Sequence, residues 1–158
     1  MKMEIERKYL IDKKNLPEDF SSYPFYQIEQ AYLCTDPVVR IRRQNDSFFL
    51  TYKAQGQMIR EEYNLPLNNK SYTHLLSKAD GRILTKKRYL IPIHETNLTI
   101  ELDVFEGEYQ GLILAEVEFF TKEEAESFTP PAWFGREVTF TGEYQNSVLA
   151  MKKEGDRL

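Results

Sequence analysis

The stretch from Pro37 to Pro66, PVVRIRRQNDSFFLTYKAQGQMIREEYNLP, holds three runs rich in β-branched and aromatic residues, at 37–44, 47–53 and 57–66. Asp36-Pro37 precedes the first, and Gln44-Asn45-Asp46 and Ala54-Gln55-Gly56-Gln57 separate them. Breaks of this length and composition close hairpins, so the runs are predicted to pair as an antiparallel meander. Within each run the charges keep one parity. Arg40 and Arg42 alternate with Val39 and Ile41, Thr51 and Lys53 with Leu50 and Tyr52, and Arg60 and Glu62 with Tyr63 and Leu65. Residues two apart share a face of a strand, so each strand carries one apolar and one charged face.

The same alternation extends outward, predicting further strands at 2–10, 27–34, 82–92, 97–106 and 113–120. Glu4, Glu6 and Lys8 oppose Ile5 and Tyr9; Lys86 and Arg88 oppose Tyr89 and Ile91. Glu101 and Asp103 oppose Ile100, Leu102 and Val104, and Glu116 and Glu118 oppose Val117 and Phe119. Helical spacing is scarcer. Tyr72, Leu75, Leu76 and Ala79 recur at helical intervals, with Gly81 as the expected stop. Thr121 and Glu124 fit a capping box for a helix to about Phe128, which Pro130-Pro131 would end. Tyr144, Val148 and Met151 would share a last apolar face, and the closing Lys-Lys-Glu-Gly-Asp-Arg reads as a solvated tail. One strand with its charges toward water is ordinary for an antiparallel sheet. Seven such strands, with too few helices to cover a broad open sheet, point instead to closure with the charged faces inward.

The expected fold is therefore mainly β within the α+β class: an eight-stranded antiparallel closed barrel with a few flanking helices, one domain over residues 1–158. Its interior would hold Lys8, Arg40, Arg42, Lys53, Arg60, Lys86 and Arg88 against Glu4, Glu6, Glu62, Glu101, Asp103, Glu116 and Glu118, seven of each sign. So many buried ions need water or a charged ligand among them. Guanidinium and ammonium groups suit phosphate oxygens, and Glu-x-Glu and Glu-x-Asp pairs suit a hard cation such as Mg²⁺ or Mn²⁺. Together they describe a metal-assisted polyphosphate site. A net charge of −4 argues against a general nucleic-acid surface, and no apolar run reaches the ~18 residues of a membrane span. The charged start lacks a secretory signal, so a cytoplasmic location is expected. Cys34 cannot form an internal disulfide, and His74 and His94 lack neighbours at zinc-ligand spacing. Lys86 and Lys87 are adjacent, as are Glu61 and Glu62, so only one of each pair can face inward. Removing the carboxylate of Glu116 or Glu118 is expected to leave the metal-free barrel no less stable, since like charges held together repel.

Near its start the chain carries Glu4-Ile-Glu-Arg-Lys8, a Glu-x-Glu-x-Lys pattern. In order there follow Gln30-Ala-Tyr-Leu33, Arg40-Ile-Arg42, Leu50-Thr-Tyr-Lys53, Arg60-Glu-Glu-Tyr63, Lys86-Lys-Arg88-Tyr89, Glu101-Leu-Asp-Val-Phe-Glu-Gly107, Ala115-Glu-Val-Glu118 and Trp133-Phe-Gly135 with Glu-Val-Thr139. Over nearly its whole length the chain resembles the CYTH superfamily, also called triphosphate tunnel metalloenzymes, and most of all the small bacterial members of inorganic triphosphatase type. The resemblance implies a tunnel that binds a triphosphate and hydrolyses or transfers its phosphates with Mg²⁺ or Mn²⁺. Matched by position, Lys8, Arg40, Arg42, Lys53, Lys86 and Arg88 would grip phosphates; Arg60 joins them from the inward set. The metal candidates are Glu4, Glu6, Glu101, Asp103, Glu116 and Glu118, led by Glu6, Glu116 and Glu118. The catalytic candidates are Lys86, Glu62 acting on water, and Tyr32, which matches a tyrosine near the substrate. At Thr141-Gly-Glu-Tyr144, where related chains often carry Asp-Lys-Arg-Tyr, the basic pair is missing. Arg136 is the candidate to replace that charge.

The expected reaction is hydrolysis of inorganic tripolyphosphate, with nucleoside triphosphates as poorer substrates. Thiamine triphosphatase and class IV-type adenylate cyclase keep the tunnel and change the substrate. A non-catalytic polyphosphate-binding module is the alternative of another class, and the intact acid set opposes it. The expected partner is the triphosphate itself, with no nucleic acid and no membrane; a homodimer is allowed.

Overall fold

The structure, a computed structural model, describes residues 2–152. Eight strands alternate with three short helices: β1 Lys2–Leu10, β2 Phe25–Thr35, β3 Val38–Gln44, β4 Ser47–Lys53, β5 Ile59–Leu67, α1 Asn69–Leu76, β6 Asp80–Pro92, β7 Thr99–Phe105, β8 Ile113–Glu118, α2 Lys122–Ser127 and α3 Asn146–Met151. The hydrogen-bonded order β1-β5-β4-β3-β2-β6-β7-β8 closes into a barrel, and every neighbouring pair is antiparallel. The expected meander of β3, β4 and β5 is present and extends back to β2, and β6, β7 and β8 form a second. Asn45, at φ 52°, turns the β3–β4 hairpin in the left-handed conformation that asparagine tolerates. β1 is shared along its length: Lys2 to Ile5 pair with β5, and beyond them the segment 135–138 hydrogen-bonds to Lys8 and Leu10.

Apolar packing covers the outside and plugs one end. Tyr9, Ile91, Leu102, Val117 and Phe119 form an outer core under Phe128, Trp133 and Phe134, with Ala125 of α2 wholly buried in it. Ala31 and Ile41 lie beneath Tyr72 of α1 on the β2–β3 face. A third cluster joins Val38, Leu84, Phe105 and Leu114 to Tyr144, Leu149 and Ala150. These four strand residues share the parity of Arg40, Lys86, Asp103 and Glu116, so the inner face changes from ionic to apolar at this end. There α3 seats Leu149, a side chain whose full burial contributes roughly 1.5–3 kcal/mol.

The helices depart from expectation in detail. α1 starts earlier and ends at Leu76, because Asn68 and Ser71 form a reciprocal cap and Ser77 closes the last turn. Gly81 therefore serves no helix. It sits in β6 at φ +70°, where a Cβ would collide with the carbonyl oxygen of Ala150 in α3. At α2, the Thr121 hydroxyl accepts from the Glu124 amide at 3.1 Å, but the Glu124 carboxylate reaches past Thr121 to the Phe120 amide. The buried residues of α3 are Asn146, Ser147, Leu149 and Ala150, with Val148 exposed, since Tyr144 precedes the helix and does not set its phase. The tail from 153 onward lies outside the described residues. Among those described, no helix is long and apolar enough to cross a membrane.

Candidate active site

The inward strand faces enclose a cavity of about 360 Å³. Six cations line it, Lys8, Arg40, Arg42, Lys53, Arg60 and Arg88, and six carboxylates, Glu4, Glu6, Glu62, Glu101, Glu116 and Glu118. Their distribution is uneven.

Facing the carboxylates of β1, β7 and β8, the cations Lys8, Lys53 and Arg88 are paired. Strand register sets Lys8 opposite Glu116, at 3.3 Å, and Arg88 opposite Asp103. The Arg88 guanidinium donates to Asp103 at 2.7 and 2.8 Å, to Glu101 at 3.0 Å and to Glu116 at 3.2 Å. Lys53, opposite Glu62 on β5, donates to both Glu4 oxygens at 2.9 and 3.1 Å and stands 3.5 Å from Glu62. Burial opposes ionisation of Glu4, but Lys53 outweighs it and holds the carboxyl down at about 2. Glu116 is likewise kept well below its usual range, burial being outweighed by Lys8 and Arg88. Burial, with Glu4 adding to it, raises Glu62. Glu6 faces Glu118 across the ladder, a like-charge pairing, and among the described residues nothing donates to its carboxylate. Burial, with Glu116 and Glu4, pushes Glu6 up to about 8.

On the β3 wall the cations are bare. Arg40 and Arg42 have no carboxylate within ion-pair distance among the described residues. Arg40 is buried, reaches Thr51 Oγ1 only at 3.4 Å, and its Nε has no partner. Arg42 donates to the neutral Gln30 amide. Burial, reinforced by Arg40 and Arg88, lowers its pKa, so the site disfavours an uncompensated charge. Such a surface is built for an anion brought from outside.

Most candidates meet here, Tyr32 included, but three do not. Lys86 and Asp103 are wholly buried one layer deeper, between the cavity and α3. Lys86 Nζ donates to Asp103 at 2.7 Å and to Asn146 Oδ1 of α3 at 3.0 Å. Burial, with Arg88 and Arg42, lowers it to about 7 against the pull of Asp103. Arg136 is exposed and does not line the cavity, so the charge missing at 141–144 is not restored there. Lys87 points outward over the Phe25 ring, and Glu61 is exposed. Thr51 lines the cavity on the face expected for it beside Lys53, whereas Gln30, Asn64, Thr139 and Asn146 are not among the expected site residues. Gln30 and Asn64 share parity with Tyr32 and Glu62 and could have been found by it; Thr139 and Asn146 sit outside the strands, where no alternation marks them.

Among the described residues no three His, Cys, Asp or Glu side chains already converge as a metal cage. The donor chemistry nevertheless fits a hard divalent cation. Glu6 lacks a cationic partner and lies beside Glu4, Glu116 and Glu118, so the excess negative charge on this wall is what such an ion would relieve. Mg²⁺ keeps several waters, so it needs only one or two carboxylates to hold it.

A closed antiparallel barrel with an ionic lumen, bare arginines on one wall and a carboxylate row on the other defines a polyanion-processing tunnel. The CYTH domain family model matches residues 2–148, and the chain belongs to that family, whose membership implies a divalent metal ion. An inorganic triphosphatase of Nitrosomonas europaea is 37% identical over 152 residues, spanning 94% of this chain and 97% of the relative. One of Acetivibrio thermocellus is 32% identical over 154 residues, spanning 94% of each. The crystal structure of an inorganic triphosphatase superposes with a TM-score of 0.71 at 34% identity, covering 98% of this chain and 99% of the other.

Proposed function

We infer that this chain is a metal-dependent phosphohydrolase that cleaves inorganic tripolyphosphate and acts more weakly on nucleoside triphosphates. The observation that carries the reading is the pair of guanidinium groups without a carboxylate partner among the described residues, buried Arg40 and half-buried Arg42, facing a cavity whose other cations are largely paired. A phosphate chain supplies the missing anions, and the names of the relatives give its class.

In this reading Arg40 and Arg42 take phosphate oxygens, with Lys8, Lys53, Arg60 and Arg88 completing the grip. Glu6, Glu116 and Glu118, with Glu4, would hold the metal, Mg²⁺ or Mn²⁺; Glu101 is an outer member of that set. When bound, the ion offsets phosphate charge and lowers the pKa of water. Glu62, oriented by the Asn64 amide at 2.7 Å, accepts a proton from water as its oxygen attacks a phosphorus atom in line. A P–O–P bond breaks, and the leaving phosphate carries off the electron pair. Tyr32 donates a hydrogen bond to a phosphate oxygen. Asp103 acts as counter-ion to Arg88 and Lys86, and Lys86 acts through it.

The test is phosphate release from tripolyphosphate, ATP and pyrophosphate, each with Mg²⁺, Mn²⁺ or chelator. Tripolyphosphate should be fastest and chelator should abolish release; equal rates on all three substrates, or full activity in chelator, contradict the reading.

A further inference from the structure

Gln30 is wholly buried on β2, behind the cavity wall, in an interior where most polar neighbours are ions. Its Oε1 receives Arg42 Nε at 3.1 Å and Nη2 at 2.8 Å. Arginine only donates, so this contact fixes which end of the amide faces it. The amide nitrogen must then face the other way, and it donates to the Tyr32 hydroxyl oxygen at 3.0 Å. That oxygen is thereby an acceptor on its Gln30 side. Its own hydrogen points elsewhere, and among the described residues no acceptor takes it. Tyr32 lines the cavity. The backbone marks the same spot: β2 shifts register against β6 between Gln30 and Tyr32, and against β3 between Tyr32 and Cys34. Register shifts of this kind re-aim a side chain beside a functional site.

We propose that Gln30 is a positioning residue that turns the Tyr32 hydroxyl proton and the undiminished charge of Arg42 into the cavity, toward a phosphate of the substrate. The proposal rests on the triphosphatase reading. Neutrality is the point of an amide here. A carboxylate at position 30 would bind Arg42 more tightly but cancel its charge, and would accept the Tyr32 proton, drawing it away from the cavity. An apolar residue would leave the charge but release both groups.

The experiment compares wild type, Gln30→Glu, Gln30→Met, Tyr32→Phe and the double variant Gln30→Glu/Tyr32→Phe, reading kcat and KM for tripolyphosphate with Mg²⁺ and the melting temperature. Gln30→Glu should melt no lower than wild type, because it gains an ion pair. It should raise KM by about tenfold or more and lower kcat as far as Tyr32→Phe does, since a charge-assisted hydrogen bond is typically worth ten- to a hundredfold. Adding Tyr32→Phe to Gln30→Glu should cost nothing further. Gln30→Met should lower kcat without cancelling the charge, so its KM should rise less than that of Gln30→Glu; this ordering is read even if one variant folds poorly. Wild-type kinetics in both Gln30 variants, or an undiminished effect of Tyr32→Phe in the Gln30→Glu background, would overturn the proposal while leaving the triphosphatase reading intact. A wild-type protein inert toward tripolyphosphate would overturn that reading first.

Discussion

Glu6 and Glu116 face one cavity from adjoining strands, yet their surroundings act on them in opposite directions. Glu116 neutralises Lys8 and Arg88, whereas Glu6 meets mainly other acids. Glu116→Gln should therefore destabilise the metal-free protein by ~3 kcal/mol, the usual cost of removing one partner of a buried pair. This reverses the expectation drawn from like-charge repulsion alone, which took no account of cations on the same wall. Glu6→Gln should instead raise the melting temperature in chelator by a few degrees, as ~1 kcal/mol does in a domain of this size. On the proposed metal role of Glu6, wild type should be stabilised by adding Mg²⁺ and Glu6→Gln should not. A drop in melting temperature for Glu6→Gln comparable to that of Glu116→Gln would sink the argument. Away from the cavity, Arg7 grips Glu137 at 2.7 and 2.8 Å and also donates to the carbonyls of Ala125 and Phe128. The bond to Arg7 holds Glu137 below its ordinary pKa, burial opposing. A lowered folded value means that the stabilisation is present above the unfolded pKa of ~4.3 and is lost as pH falls through the folded one. Glu137→Gln should cost ~1–2 kcal/mol at neutral pH. The gap between the two melting curves should close below about pH 4, and a gap constant down to pH 3 would refute this.

At the scale of a strand, β6 carries the sharpest contrast, because Lys86 and Lys87 are neighbours on opposite faces. Lys86→Ala strips Asp103 of one of its two cations and Asn146 of α3 of its donor. It should lower turnover by about a hundredfold or more, on the ~3 kcal/mol scale of a lost preorganised charge, and lower the melting temperature as well. Lys87→Ala should leave both nearly unchanged, and the opposite order would mean that β6 is out of register by one residue. The strands were legible because alternation and turn residues both bracket them; β1 and β4 run over the expected residues, 2–10 and 47–53. β8 ends at Glu118, short of the expected 120; the Phe119 amide still reaches the Ile5 carbonyl at the next position of the β1–β8 register before the chain leaves for α2. Parity tells inside from outside but not depth along the barrel. That is why Lys86 and Asp103 were grouped with Arg88 and Glu101, although α3 covers them. The plug itself was hard to read, because a six-residue helix has too few turns for periodicity to show. Gln30 and Asn64 escaped because charge, the feature used to find the inner faces, is what they lack.

Considered as one molecule, the barrel divides two tasks between its walls. The ion pairs that Lys8, Lys53 and Arg88 make with the carboxylates of β1, β7 and β8 tie strands together, whereas Arg40 and Arg42 on β3 tie little and wait for an anion. An uncompensated buried cation destabilises the free protein, so the binding wall and the stability of the empty barrel should be in conflict. Arg40→Met removes a guanidinium whose Nε has no partner and whose one hydrogen bond, to Thr51, is long. The metal-free, ligand-free variant should melt no lower than wild type and up to a few degrees higher, whereas Lys53→Met, which orphans Glu4, should melt lower. Tripolyphosphate should have the reverse effect. Any ligand that binds only the folded state stabilises it by ~2.7 kcal/mol at a hundred times Kd, so wild type in chelator should show a clear upward shift on adding tripolyphosphate. Arg40→Met should show little or none at the same concentration, its affinity reduced by about tenfold or more. Melting curves of the three proteins, with and without tripolyphosphate, measure both quantities at once. If Arg40→Met melted as low as Lys53→Met while keeping the full ligand shift, Arg40 would be a structural residue and the division between the two walls would fail.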